Sequence, residues 1–153
     1  MTQENTEPVG TGAMNRVIWA LRQAEQTLQT LKEQRLRPLG MAPAHYSLLI
    51  SIHTHPGITG AELARRLTVT PQSVASLVAR LADKGQLERR SHPRHRHVQE
   101  LHLTDAGRQA LHASDAVIAA IEHRITTRLG PDDTARFTAT LGEVVDAVRD
   151  TQP

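Results

Sequence analysis

Apolar residues along this chain recur at two periods, and the changes from one to the other divide it into elements. Across residues 15–37, Ile18, Leu21, Ala24, Leu28 and Leu31 are spaced by three and four, which sets them on one stripe of a long helix. Pro38 and Gly40 end it. Residues 44–55 predict a second helix with Tyr46, Leu49, Ile50 and Ile52 inward, closed by Pro56 and Gly57. Thr59-Gly60-Ala61-Glu62 has the form of a capping box, in which a Thr hydroxyl and a Glu carboxylate satisfy two free helical amides. It opens a short helix to Leu67, with Leu63, Ala64 and Leu67 toward the core. After a connection over residues 68–70, Pro71 stands at a first helical position behind the cap Thr70, and Gly85 stops the helix near Lys84. Its buried face is Val74, Leu77, Val78 and Leu81.

The period then shortens to two. Residues 87–90 and 98–103 pair as a hairpin, with Leu101 and Leu103 inward and a polar tip containing Pro93. Thr104-Asp105 caps a long helix through Leu111, Ile118, Ile121, Ile125 and Leu129. Gly130-Pro131-Asp132-Asp133 breaks that helix and starts another through Phe137, Leu141, Val144, Val145 and Val148. The order predicts a mainly α fold with a small β-wing: a winged helix-turn-helix over residues 41–103, flanked by dimerisation helices over 13–38 and 104–150. The flanking helices carry apolar stripes that one small domain does not cover, so a second copy of the chain is the expected partner. Residues 1–12 are polar and expected to be disordered, leaving 13–153 as a single domain.

Composition narrows the function. At 153 residues the chain can bury a core without staples, and with Trp19, Tyr46 and Phe137 as its only aromatics that core rests on Leu, Val, Ile and Ala. Cysteine is absent, which excludes disulfides and thiolate metal sites. No apolar run reaches the roughly 18 residues of a membrane span, and the start lacks the apolar region of a secretory signal; a cytoplasmic protein without a membrane partner is expected. Net charge is only +2, yet residues 60–103 hold eight Lys/Arg against four Asp/Glu. The middle of the chain is its basic part. Enzyme chemistry finds no support: there is no phosphate-cradling glycine loop, and Ser114-Asp115 with His112 has the letters of acyl transfer without a strained elbow or oxyanion donors. No enzyme activity and no cofactor are expected.

The run "GITGAELARRLTVTPQSVASLVARLADKGQLERR", the wing, and then "LHLTDAGRQAL" resemble the MarR family of transcriptional regulators over roughly residues 41–111. The resemblance implies a homodimer with two winged modules, binding to a double-stranded DNA operator, and repression relieved by a small-molecule effector. Two departures stand out. Where the family's wing carries Asp-x-Arg, this chain has His95 and His97, so the arginine's part passes to Arg94 or Arg96. Where the family often has Leu-Thr-x-x-Gln, it reads Met41-Ala42-Pro43-Ala44-His45.

A recognition helix offers its N-terminal turns to base edges in the major groove. Gln72 can pair with adenine, Ser73 and Ser76 with several bases, and Ala75 can meet a thymine methyl. Arg65, Arg66, Arg80 and the amides capped by Thr59 and Thr70 suit phosphates. Arg89, Arg90, Arg94 and Arg96 lie on or near the hairpin, with no Asp or Glu between Arg89 and Gln99, and suit the negative potential of a narrow minor groove. His95 and His97 add charge there as pH falls through about 6.5, the value for a free imidazole, so operator affinity is expected to rise with acidity.

Two other classes compete. A metal site can be drawn from His92, His95 and His97, or from His45 and His112 with His53 or His55, but a solvent-facing tip lacks a rigid outer shell and four arginines repel a cation; no metal is expected. A winged-helix module for acidic proteins has the same charge pattern. For an effector, Trp19, His45, Tyr46 and His112 are the residues placed to line a cleft, although each also has the plain reading of a core or cap residue.

Overall fold

The computed structural model describes residues 16–150 and Gly12. Helix α1 (Val17–Leu36) runs into a short 3-10 turn (Arg37–Leu39), followed by α2 (Pro43–Thr54), β1 (Ile58–Thr59), α3 (Gly60–Leu67), α4 (Pro71–Asp83), β2 (Leu87–Ser91), β3 (Gln99–Leu103), α5 (Asp105–Leu129) and α6 (Pro131–Arg149). The mainly helical fold with a β-wing follows the sequence pattern. One strand was not legible there: β1 joins the hairpin's outer side, giving an antiparallel sheet in the order β1-β3-β2, with Ile58 opposite Leu101 and Thr59 opposite Glu100. Two residues are too few for a visible alternation.

Threonine side chains start the three helices around the turn and wing. Thr59 Oγ1 accepts from Glu62 N at 3.2 Å, Thr70 Oγ1 from Ser73 N at 3.1 Å, and Thr104 Oγ1 from Gly107 N at 3.1 Å. Each bond satisfies an amide that the helix itself leaves open, typically worth about 1 kcal/mol. Between α3 and α4 the chain turns at Thr68, whose φ of 54° makes it the one non-glycine residue in the left-handed region among the described residues. For a β-branched side chain that conformation costs roughly 1–2 kcal/mol, and it aims α4 away from α3 within three residues.

Helix α2 is the hub. It touches α1, α3, α4, α5 and β3, and its Leu48, Leu49 and Ile52 are buried with Leu36, Leu63, Val74, Leu81, Leu101 and Leu111. Tyr46 and Ile50, expected inward, are only half-buried, while Leu48 takes the central place. The long flanking helices behave differently. On α1 only Leu36 is buried and on α6 no residue is, so Ile18, Phe137 and Val145 remain 73%, 49% and 46% exposed. Their apolar stripes face away from the core.

At the junction of α5 with β2 the packing leaves no space for a side chain. A methyl group at Gly107 would stand 1.9 Å from the Gln86 carbonyl oxygen, a backbone atom that cannot swing aside. Gly107→Ala is therefore expected to destabilise the fold by about 1–3 kcal/mol, the usual cost of overpacking, read as a lower denaturant midpoint at unchanged slope. Stability equal to that of the parent chain would show that α5 and β2 do not approach this closely.

Candidate nucleic-acid interface

Helix α4 sorts its residues as a reading helix must. Val74, Val78 and Leu81 are buried and Leu77 half-buried, which turns Gln72, Ser73, Ala75, Ser76, Ala79 and Arg80 outward, all exposed. The side chains in its first turns are short, so the backbone can lie close to a base-pair edge. Ser73 is not wholly free, since its Oγ lies 2.8 Å from Thr70 Oγ1. Thr59 and Thr70 use their hydroxyls as caps, and Arg65 and Arg66 stand exposed at the end of α3.

The wing divides into a braced base and an exposed tip. At the base, Arg90 is ion-paired with Glu88 on its own strand and stands opposite Glu100 in the ladder. Glu100 Oε2 lies 3.1 Å from His102 Nε2, and its Oε1 lies 3.8 Å from His92 Nε2. The acid-free stretch seen in the sequence is thus answered from the facing strand, a pairing that depends on register. At the tip, Arg94, His95, Arg96 and His97 are all exposed, and among the described residues no carboxylate pairs with Arg94 or Arg96. Arg89 is also exposed, nearer the sheet.

The histidines do not assemble as a metal cage. His92 Nδ1 already accepts from the amides of Arg94 at 3.1 Å and His95 at 3.2 Å, and among the described residues no group of three or more His, Cys, Asp or Glu is placed to hold a metal ion. The four residues drawn together for an effector also separate. Trp19 carries the Arg22 guanidinium over its ring at 5.7 Å. His45 lines a pocket of about 380 Å³ with Glu33, Arg37 and Met41. His112 lines another, of about 330 Å³, with Ile50, His53, Arg108, Leu111 and Asp115. Tyr46 joins that second group through its hydroxyl, which donates to Asp115 Oδ1 at 2.8 Å. Arg108 is a residue of this pocket that the sequence did not single out, and His53 was drawn there only as a metal ligand; their approach comes from the crossing of α2 and α5, for which no local signal exists. A larger apolar cleft of about 680 Å³ lies between α1, α5 and α6, lined by Leu28, Ile125, Leu129 and Phe137 among others.

Among the described residues, two side chains have displaced proton affinities. Burial, with the nearby charges of Lys84 and Arg80, lowers the pKa of His45 from its usual 6.5, and its Nδ1 is buried without a hydrogen-bond partner. Its contribution to stability is present above 6.5 and is lost as pH falls through the lowered value. Burial, then the hydrogen bond to Asp115 and that carboxylate's charge, raise Tyr46 to about 12.

A helix of short side chains set outward by a strained turn, beside an arginine-tipped β-wing, defines a winged-helix DNA-binding protein. The chain belongs to the MarR family, whose model matches residues 39–96. It is 32% identical over 94 residues to the HTH-type transcriptional repressor Rv2887 of Mycobacterium tuberculosis, covering 61% of this chain and 68% of that protein. Rv2887 solved in complex with salicylic acid aligns over 84% of this chain and 96% of its own, with a TM-score of 0.67 and 26% identity. The transcriptional repressor CouR bound to a 23-mer DNA duplex shares the fold at a TM-score of 0.82 and 24% identity, over 92% of this chain and 99% of that one. As a member of this family the chain is a transcriptional regulator and not an enzyme. Among the described residues no helix is long and apolar enough to cross a membrane.

The Tyr46–Asp115 contact can be read directly, because Tyr46 is the only tyrosine in the chain. Its phenolate absorbance should titrate with a midpoint of about 12, against 10.0 for a free tyrosine. The stabilisation from burial of the neutral phenol and from this contact is then complete below 10.0 and lost as pH rises through about 12. Asp115→Ala should move the midpoint down toward the free value; an unshifted midpoint in the parent chain would refute the contact.

Proposed function

We propose that two copies of this chain pair through α1, α5 and α6 and present their α4 helices and wings to a pseudo-palindromic operator, as a repressor released by a small ligand. The observation that carries the reading is the exposed surface that Gln72, Ser73 and Ser76 offer on α4 and that Arg94 and Arg96, which no carboxylate pairs among the described residues, offer on the wing. On that surface Gln72 and Ser76 contact base edges, Ser73 and the capped turns of Thr59 and Thr70 fix the backbone, and Arg65, Arg66 and Arg80 meet phosphates. Arg94 and Arg96, with His95 and His97 between and beside them, enter the minor groove. Arg90 contributes least, since Glu88 already holds it.

Pairing is supported by the apolar stripes. A helix with no buried residue, such as α6, has no reason to form on its own, and Ile18, Phe137 and Val145 would be costly to leave in water at their observed exposure. A small ligand is supported by the pocket beside Tyr46, where the polar His53, Arg108, His112 and Asp115 line one space with the apolar Ile50 and Leu111. The regulator Rv2887, solved with salicylic acid, gives a ligand of that kind a precedent.

Selection from a randomised duplex library tests the reading. A preferred, two-fold-related sequence is expected, with affinity falling steeply with salt as counterions are released; binding without preference over random duplex would overturn it. Gln72→Ala should cost about 1–3 kcal/mol and relax preference at one position of each half-site, whereas Arg80→Ala should weaken all sequences alike and flatten the salt dependence.

The dimer is tested by sedimentation. Phe137→Asp puts a charge into the exposed apolar stripe and is expected to yield monomers that bind the operator at least about tenfold more weakly, because one module loses the effective concentration supplied by its twin. A parent chain that sediments as a monomer at all concentrations would exclude the proposed assembly.

A further inference from the structure

His92 stands at the end of β2, where the tip begins, and its imidazole does something the neighbouring histidines do not. Its Nδ1 accepts two backbone hydrogen bonds, from Arg94 N at 3.1 Å and His95 N at 3.2 Å. Pro93 lies between, with a fixed φ and no amide of its own, so the next two amides converge on one ring nitrogen. The backbone closes the turn on either side: His92 N donates to Val98 O at 2.9 Å, and Val98 N to His95 O at 2.8 Å. A nitrogen that accepts holds no proton, which leaves the imidazole's proton on Nε2. That atom faces Glu100 Oε1 on β3 at 3.8 Å.

We propose that His92 is the positioning residue of the wing: its Nδ1 lone pair folds the tip that aims Arg94 and Arg96 at DNA. The inference rests on the DNA-binding reading given above for those two arginines. His92 acts on the operator through the backbone of residues 94 and 95 and touches no base itself. Only the neutral ring can do this, since a protonated imidazole carries N–H on both nitrogens and would turn a donor toward two donors. The groups facing it are Glu100 from β3 and the His95 ring, centred 5.1 Å away in the tip. Glu100 in turn is held by His102 and stands opposite Arg90 of β2 and Thr59 of β1.

Substitution tests the role. Asparagine places an oxygen acceptor where Nδ1 stands, so His92→Asn should keep the turn, whereas His92→Ala should lose it. At about pH 7.8, above the free imidazole range, His92→Asn should bind the selected operator within about twofold of the parent and His92→Ala about fivefold more weakly, the weight of one ordinary hydrogen bond or more. Parent-like binding by His92→Ala, or binding by His92→Asn as weak as that of His92→Ala, would overturn the proposal. A readout free of DNA keeps it distinct from the functional reading: nitrogen NMR of the unbound protein should show His92 as the Nε2–H form. A proton on Nδ1 at neutral pH would overturn the inference even if operator binding is confirmed.

Discussion

Helix α4, the wing and α5 meet at one joint, made by Thr104 with Gly85 and Gln86 just beyond α4. The Thr104 hydroxyl donates to Gly85 O at 2.6 Å while accepting from Gly107 N, and its own amide reaches Gln86 O at 3.2 Å. One residue thus caps α5, holds the end of α4 and fixes the last residue of β3. Gly107 lets α5 come so near the Gln86 backbone that no other residue fits. Arg108 adds a bond to Leu103 O at 2.9 Å. The angle between α4, the wing and α5 is set within a few residues, by side-chain hydrogen bonds to the backbone and by the close approach of Gly107 to Gln86.

From that joint the load passes to α2. Its Leu48, Leu49 and Ile52 fill the space between α4 and α5, and Tyr46 crosses to Asp115 one turn beyond Leu111. On the other side Lys84, at the end of α4, donates to Gly40 O at 3.1 Å, beside the buried and partnerless imidazole of His45. A displacement of α2 would therefore be felt at both ends: at α5, which carries the apolar stripe, and at the foot of α4. A ligand between Tyr46 and His112 would lie against the element that connects the two, which is what coupling between effector and operator requires.

The sequence revealed whatever is carried by local chemistry. Thr59, Thr70 and Thr104 announced three helix starts because a cap is a contact over three residues, and the apolar spacing of α4 separated its reading face from its core face before any tertiary contact was known. What depends on two segments meeting was hidden. The strand Ile58–Thr59 exists only because β3 lies beside it. Glu100 counters the base of a wing that looked free of acid because the cross-strand register was unknown. Likewise Trp19, His45, Tyr46 and His112, grouped as one cleft, divide among different surfaces, since only Tyr46 and His112 meet through Asp115.

Register also gives the wing a gradient of charge that composition alone does not suggest. Arg90 is held by Glu88, and Glu100 lies between His92 and His102, so the base of the hairpin is close to neutral and internally satisfied. Beyond His92 the acids end and the arginines extend into solvent. A rigid, neutral stem carrying a positive tip concentrates its attraction at one point, and that suits insertion into a narrow groove better than a uniformly basic ribbon, which would bind phosphates anywhere along its length. With the tip held by an imidazole at its root, Arg94 and Arg96 extend without an adjacent carboxylate to neutralise them.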